Sequence, residues 1–114
     1  VVPSNAYNAK GLFIRSVREN NPVIFIENRW LHNTTSHVPE ELYEVALEQA
    51  DCPREGSDLT IVSWSLMTLE VLKACEYLEQ EGVSPEVISL NSLSPLTGVK
   101  IHNVCPAMSR ANGA

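Results

Sequence analysis

Leu59-Thr60-Ile61-Val62-Ser63-Trp64-Ser65, followed after a helical stretch by Gly82 and then Val83 to Leu90, is the segment whose reading decides the fold. Leu59 to Trp64 is a short run rich in apolar and β-branched residues, the composition of a strand. Ser65 stands where a helix N-cap is wanted, and the helix is expected to run through about Gln80. Met67, Val71, Ala74 and Leu78 recur at helical spacing and predict its buried face. Gly82 sits just past the end, where the chain needs a residue free to take positive φ. Val83 to Leu90, with Glu86-Val87-Ile88 at its centre, gives a second strand. Strand, helix and strand in this length predict a right-handed β-α-β unit with parallel strands.

The same logic applies upstream. The opening Val1-Val2 reads as the end of a strand. Residues from about Ala6 to Asn20 form a helical pattern, with Ala9, Leu12, Phe13 and Val17 on one stripe and Ser4 or Asn5 as its cap. Asn20-Asn21-Pro22 stops it, because a residue before proline is driven out of the α region. Val23-Ile24-Phe25-Ile26 is wholly apolar, which suits a strand covered on both faces. Residues 1–27 are therefore read as the last β-α-β unit of one sheet. Between them and the polar turn Arg54-Glu55-Gly56-Ser57-Asp58, residues 28–54 hold no period. That length exceeds an ordinary loop and predicts a connector between domains or along an interface. Residues 55–96 then begin a second α/β domain, and Thr97–Ala114 is read as an irregular tail with little fixed structure.

Charge and composition narrow the function. Eight Lys and Arg against 14 Asp and Glu give a net charge of −6 in 114 residues. That balance argues against nucleic-acid and anionic-membrane surfaces, which need clustered basic residues. No apolar run reaches the ~20 residues of a membrane-spanning helix, and the opening residues lack a signal-peptide layout. Three cysteines (Cys52, Cys75 and Cys105) without close pairing point to a reducing compartment.

Little chemistry is assembled in the sequence. His32 and His37 lie in a polar loop without metal-finger spacing. Cys75 falls on a helix and is expected to be buried, which disfavours a Cys-His nucleophile. The glycines match neither a phosphate loop nor a dinucleotide fingerprint. Ser63-Trp64-Ser65 places hydroxyls and amides at a helix start, a pattern more often a cap than an anion site. The abrupt helix end at Arg15-Ser16-Val17-Arg18-Glu19-Asn20-Asn21-Pro22 leaves backbone carbonyls to be satisfied by water or by a hard monovalent cation. On sequence physics alone a hydrated end is the simpler account.

Several stretches, taken in order, resemble the beta subunit of the thiamine-diphosphate-dependent 2-oxoacid dehydrogenases of the pyruvate and branched-chain type. They are Ala9-Lys10-Gly11-Leu12, Asn20-Asn21-Pro22-Val23-Ile24-Phe25-Ile26-Glu27, Val38-Pro39-Glu40-Glu41, Arg54 to Val62, Glu81-Gly82-Val83, Glu86-Val87-Ile88 and Leu93-Ser94-Pro95-Leu96. The resemblance stops after Leu96. It implies an α/β fold in which residues 1–27 end a transketolase-like pyrimidine-binding domain and residues 55–96 start a transketolase C-terminal-type domain. It implies a fragment of an enzyme that decarboxylates a 2-oxoacid oxidatively and passes the acyl group to a lipoyl carrier. The alternatives are a non-catalytic α/β interaction module and a fragment of another transketolase-like enzyme.

The resemblance also implies a potassium site at the helix end, held by Ser16, Val17, Glu19 and Asn21 largely through backbone oxygens. The family commonly has Asp at position 19 and a small residue other than Ser at position 16, changes a backbone ligand tolerates. No catalytic or cofactor-binding residue is expected within the chain. The family's glutamate and histidine at the cofactor belong upstream of Val1, and neither His32 nor His37 corresponds to that histidine. Thiamine diphosphate and Mg²⁺ would be bound outside this chain, with an alpha subunit and a second beta subunit in a heterotetramer and a lipoyl acyltransferase as further partner. The expected location is the cytoplasm, or the mitochondrial matrix in a eukaryote, and the isolated chain is expected to be inactive.

Overall fold

The structure, a computed structural model, describes residues 1–96. The tail 97–114 lies outside the described residues. The centre of the fold is a three-stranded sheet of β1 (Ala50–Arg54), β2 (Leu59–Trp64) and β3 (Pro85–Leu90), in the order β1-β3-β2. β2 and β3 run parallel, in register from Leu59 opposite Pro85 to Trp64 opposite Leu90. Helix α2 (Leu66–Gln80) connects them, as the sequence predicts. Every residue of β3 is buried, the expected state of a central strand. Burial extends to Glu86, whose one carboxylate oxygen accepts the Thr60 hydroxyl at 2.7 Å while the other has no partner.

β1 pairs antiparallel to β3, although its residues show no strand period. Ala50-Asp51-Cys52-Pro53-Arg54, the end of the stretch read as connector, contains a proline and an irregular register between Asp51 and Arg54. Both features are tolerated on an outer strand, which hydrogen-bonds on one side only. Ala50, Ile88 and Leu90 form the buried apolar cluster, with Cys52 packed against it.

The ends of α2 differ in quality. Its C-terminus is closed by Gly82 at φ 80°, with Gly82 N–H donating to Glu79 O and Val83 N–H to Leu78 O, both at 3.0 Å. This is the six-to-one, five-to-two pattern that glycine allows. At the N-terminus, Ser65 occupies the cap position but its side chain makes no capping bond, contrary to the expectation. Its backbone lies at φ 51°, ψ −134°, a region left almost entirely to glycine. The buried face of α2 is also rotated from the predicted one. Thr68 and Cys75 are buried, whereas Met67 is half exposed, because the Thr68 hydroxyl docks the helix onto Ser63 and Ser89 at the strand ends.

Helix α1 (Ala6–Arg18) starts at Asn5, whose side chain accepts the Asn8 N–H at 2.8 Å. Asn8, Gly11 and Leu12 are its buried residues, while Phe13 and Val17 of the predicted stripe are exposed. Gly11 explains the shift. A Cβ there would stand 2.5 Å from Val45 Cγ2 and 2.8 Å from Tyr43 Cε2, so the connector crosses α1 at the one residue without a side chain. Lys10 fixes that crossing by donating to the carbonyls of Pro39, Glu40 and Glu41. Tyr7 and Tyr43 stack with centroids 4.5 Å apart, and the Tyr43 hydroxyl donates to Tyr7 O at 2.8 Å. Desolvation, then Tyr7 and Glu41, raise the Tyr43 phenol above its ordinary pKa. The connector is thus tethered, with a short 3-10 turn at Arg29–Asn33.

Val23–Ile26, predicted as a strand, is extended but belongs to no sheet. Val1 alone lies beside it, with its N–H groups donating to Ile24 O at 2.6 Å and its carbonyl accepting Ile26 N–H at 2.9 Å. One residue of neighbouring chain gives two hydrogen bonds, so the parallel pairing expected for residues 1–27 is reduced to a single contact. No helix among the described residues is long and apolar enough to cross a membrane.

Relief of the Ser65 backbone yields a direct test. Strain of this kind costs about 1–3 kcal/mol, whereas the extra unfolded-state freedom of glycine costs only about 0.5–1 kcal/mol. Ser65→Gly is therefore expected to raise the thermal midpoint by several degrees. An unchanged or lower midpoint by circular dichroism would show that the turn is unstrained.

Candidate functional site: the α1 helix end and a buried polar seam

α1 terminates because Glu19 leaves the helix, at φ −75° and ψ 139°, and Pro22 prevents any return. A helix end leaves its last carbonyls without helical partners. Here Glu19 N–H donates to Ser16 O at 3.3 Å, and the Ser16 hydroxyl donates back to Leu12 O at 2.7 Å. The Glu19 carboxylate folds over the end. It accepts from Arg15 Nη2 at 2.8 Å, from Asn20 N–H at 3.2 Å and from Asn21 Nδ2 at 3.3 Å. Ser16, Glu19 and Asn21 are brought together by these bonds, and Val17 lies in the same turn with its side chain exposed. The basic residues near the end are paired, Arg15 with Glu19 and Glu44 and Arg18 with Glu44.

This helix end opens on a cleft of ≈ 570 Å³, whose walls include Val1, Ile24, Leu47 and the Ser92–Pro95 turn. The cleft is apolar along much of its wall, with Glu19, Asn21, Glu48, Ser92 and Ser94 as its polar side chains. Nothing in it forms a nucleophile with a base. Among the described residues no three His, Cys, Asp or Glu side chains come together as metal ligands. His32 Nε2 lies 3.9 Å from Glu27 Oε2 on an exposed surface, apart from this cleft, and His37 is exposed. Cys75 is fully buried, as expected.

A second polar cluster has no signal in the sequence, because its members are far apart in the chain. Asn8 Nδ2 donates to Asp51 Oδ2 and, at 3.1 Å, to Asn91 Oδ1; Asn91 Nδ2 donates to Asp51 Oδ2 at 3.2 Å. Beside it runs a chain of hydroxyls. Ser63 and Thr68 are 3.1 Å apart, Thr68 and Ser89 3.1 Å, and Ser89 donates to Ser4 at 3.0 Å. Ser4, Asn8, Ser63, Thr68, Ser89 and Asn91 are all buried. The seam joins the start of α1 to the C-terminal ends of β2 and β3. Its buried amides and hydroxyls bond one another, so the seam fixes structure.

Comparison with known proteins bears on this fold directly. The family described as transketolase, C-terminal domain, matches residues 48–107. The chain belongs to that family. The match covers β1, β2, α2 and β3, and continues past Leu96, where the sequence reading ended the resemblance. The chain is 46% identical over 97 residues to the pyruvate dehydrogenase E1 component subunit beta of Bacillus subtilis (strain 168), covering 84% of this chain and 30% of that protein. The corresponding subunit of Staphylococcus epidermidis is 42% identical and that of Staphylococcus aureus 41%, over the same shares. The chain thus spans about a third of the length of the curated relatives it matches. A split-gene transketolase, solved as an inactive beta4 tetramer, aligns with a TM-score of 0.72 at 24% identity, over 91% of this chain and 35% of that one. That likeness establishes the transketolase-type α/β fold. The resemblance to beta subunits and the predicted fold class are both borne out.

The seam predicts a sharp mutational response. Asn8→Ala removes the amide that links Asp51 to Asn91 and leaves a carboxylate oxygen short of a donor. A loss of about 1.5–3 kcal/mol is expected, the usual worth of hydrogen bonds to a charged acceptor, here the half-buried Asp51. Urea titration measures it, and a loss near zero would show that water replaces the amide.

Proposed function

We propose that this chain is a segment of the beta subunit of a thiamine-diphosphate-dependent 2-oxoacid dehydrogenase, acting on pyruvate or a branched-chain 2-oxoacid, and that its own role is structural. The 46% identity to a pyruvate dehydrogenase E1 beta subunit, sustained over 97 residues, carries the reading. In such an enzyme the cofactor supplies the carbanion chemistry and the protein positions it. The described residues do not fit the cofactor or its Mg²⁺: they gather no acidic or histidine cluster, and their buried amides and hydroxyls are already paired. Those groups are assigned to the rest of the beta subunit and to an alpha subunit.

Under this reading, residues 1–27 end a pyrimidine-binding domain, residues 28–54 connect, and residues 55–96 start the C-terminal-type domain. Phe13 and Val17, exposed one turn apart on α1, form an apolar face of the kind that marks an interface, and Phe25 meets Phe13 edge-on with centroids 5.8 Å apart. It suits packing within a heterotetramer of alpha and beta subunits, which would in turn serve a lipoyl acyltransferase. The bacterial relatives favour the cytoplasm as the location.

The reading is tested by grafting. The matching 97 residues of the Bacillus subtilis subunit are replaced by those of this chain, and pyruvate decarboxylation is assayed with the alpha subunit present. Retained activity is expected. An assembled but inactive hybrid would overturn the assignment. The isolated chain, supplied with thiamine diphosphate and Mg²⁺, is expected to release no CO₂ from pyruvate.

The helix end is proposed to hold potassium through oxygens of Ser16, Val17, Glu19 and Asn21. The abrupt exit at Glu19 and the partial negative charge of a helix C-terminus support a hard cation there. Potassium chloride is expected to raise the thermal midpoint above that in equimolar sodium chloride. Identical midpoints would leave a hydrated helix end as the account.

A further inference from the structure

Between the 3-10 turn that ends at Asn33 and the start of β1 at Ala50, the chain forms no helix or strand. Neither a ladder nor a helical turn fixes its path, so contacts with α1 must do so. Charge is arranged for that. Residues 38–48 contain Glu40, Glu41, Glu44 and Glu48 and no Lys or Arg. Helix α1 contains Lys10, Arg15 and Arg18 and no Asp or Glu. A chain of net charge −6 thus sets a basic helix against an acidic strap.

The three cations do not contribute alike. Arg15 and Arg18 reach Glu44 from positions where their side chains are 38% and 56% exposed, and exposed pairs contribute little. Lys10 acts on the backbone instead. Its ammonium donates to three consecutive main-chain oxygens, those of Pro39, Glu40 (3.2 Å) and Glu41 (2.8 Å), one for each N–H. The Tyr43 ring centroid lies 5.1 Å from the same nitrogen and closes a further side. No backbone N–H among the described residues donates to those three carbonyls. Oxygens of like partial charge converge on one point only if a cation sits there. Three carbonyls and a π face are a ligand set for an ammonium group.

We propose that the Pro39–Glu41 turn is a main-chain receptor for a primary ammonium group, that Lys10 fills it, and that this contact is the latch holding the connector on α1. Opening the latch frees the strap and leaves β2, α2 and β3 folded, because no strand pairing and no bond of the buried seam involves residues 38–45. The receptor selects by N–H groups as well as by charge. A quaternary ammonium ion carries the charge but has no proton to give the carbonyls.

Cleavage of the purified chain by a Glu-specific endoprotease at Glu40, Glu41 and Glu44 reads the latch, because a docked strap must open before it is cut. Lys10→Met keeps the length and apolar stem of the side chain and removes its charge. It is expected to be cut roughly tenfold or more faster than the unaltered chain, with its circular dichroism retained. Arg18→Met loses only an exposed pair and is expected to be cut within about twofold of the unaltered rate. In Lys10→Ala, propylammonium chloride is expected to restore protection, and tetramethylammonium chloride at the same concentration is not. Equal cleavage of Lys10→Met and the unaltered chain overturns the proposal. So does Arg18→Met cut as fast as Lys10→Met, or the absence of any difference between the two salts. Should both Lys10 variants lose their circular dichroism, nitrogen-15 NMR of the lysine ammonium groups in the unaltered chain decides. The Lys10 N–H protons are expected to exchange with water roughly tenfold or more slowly than those of Lys73, which is 64% exposed and bound to a single carboxylate. Equal exchange rates overturn the latch.

Discussion

The hydrogen bonds among Asn8, Asp51 and Asn91 are the constraint on which the described structure depends. They bring together α1, β1 and the residue that follows β3, three segments that are remote in the chain. Helices of about a dozen residues are marginal alone in water, and α1 has 13, of which Asn8, Gly11 and Leu12 are buried. Apolar burial on that scale does not fix one orientation. A buried amide pair sharing a carboxylate does, because any slip leaves polar groups unpaired at about 1–3 kcal/mol each. The hydroxyl chain from Ser63 to Ser4 adds α2 through Thr68, and Val2 N–H donates to Asn91 O at 2.9 Å. The seam thereby holds the N-terminal segment and the sheet in one arrangement.

What the sequence disclosed follows from the range of the interactions involved. The β2-α2-β3 unit was legible because its signals are local: a β-branched run, a helical period and a glycine at the C-terminus. Gly82 performs the role its position suggests. β1 was not legible, since Pro53 and the irregular register erase alternation, and only pairing with β3 makes Ala50–Arg54 a strand. The period in α1 was read correctly but its direction was not. Phe13 and Val17 are apolar, yet the helix turns Asn8 and Gly11 inward, where a distant carboxylate and the crossing connector wait. A polar and a small residue look like surface until their partners are known. Val23–Ile26 has the composition of a buried strand, and among the described residues Val1 makes its backbone bonds at Ile24 and Ile26. The potassium ligands rest on resemblance, and the geometry brings Ser16, Glu19 and Asn21 together at the helix end.

Burial is distributed unevenly around β3. That strand is covered on every residue, while the outer faces of α1, the 23–26 segment and β2 keep large apolar side chains in water. The fold is therefore complete at its centre and open at its margins, which suits a piece that packs into something larger.

Saturation separates structural polar groups from those available for function. The seam is the most polar buried region, and for that reason a tempting place for chemistry, at the carboxyl ends of parallel strands where α/β folds bind ligands. Its amides and hydroxyls are nevertheless committed to one another, and admitting a ligand would cost the bonds that hold α1 in place. At the end of α1 the balance is reversed. Glu19 draws its carboxylate back onto Arg15, Asn20 and Asn21, which removes a side-chain ligand from the cleft and leaves backbone oxygens as the groups best placed to act. Under the proposed potassium reading, a site built from carbonyls is indifferent to side-chain identity and so tolerates Glu and Ser at positions 19 and 16.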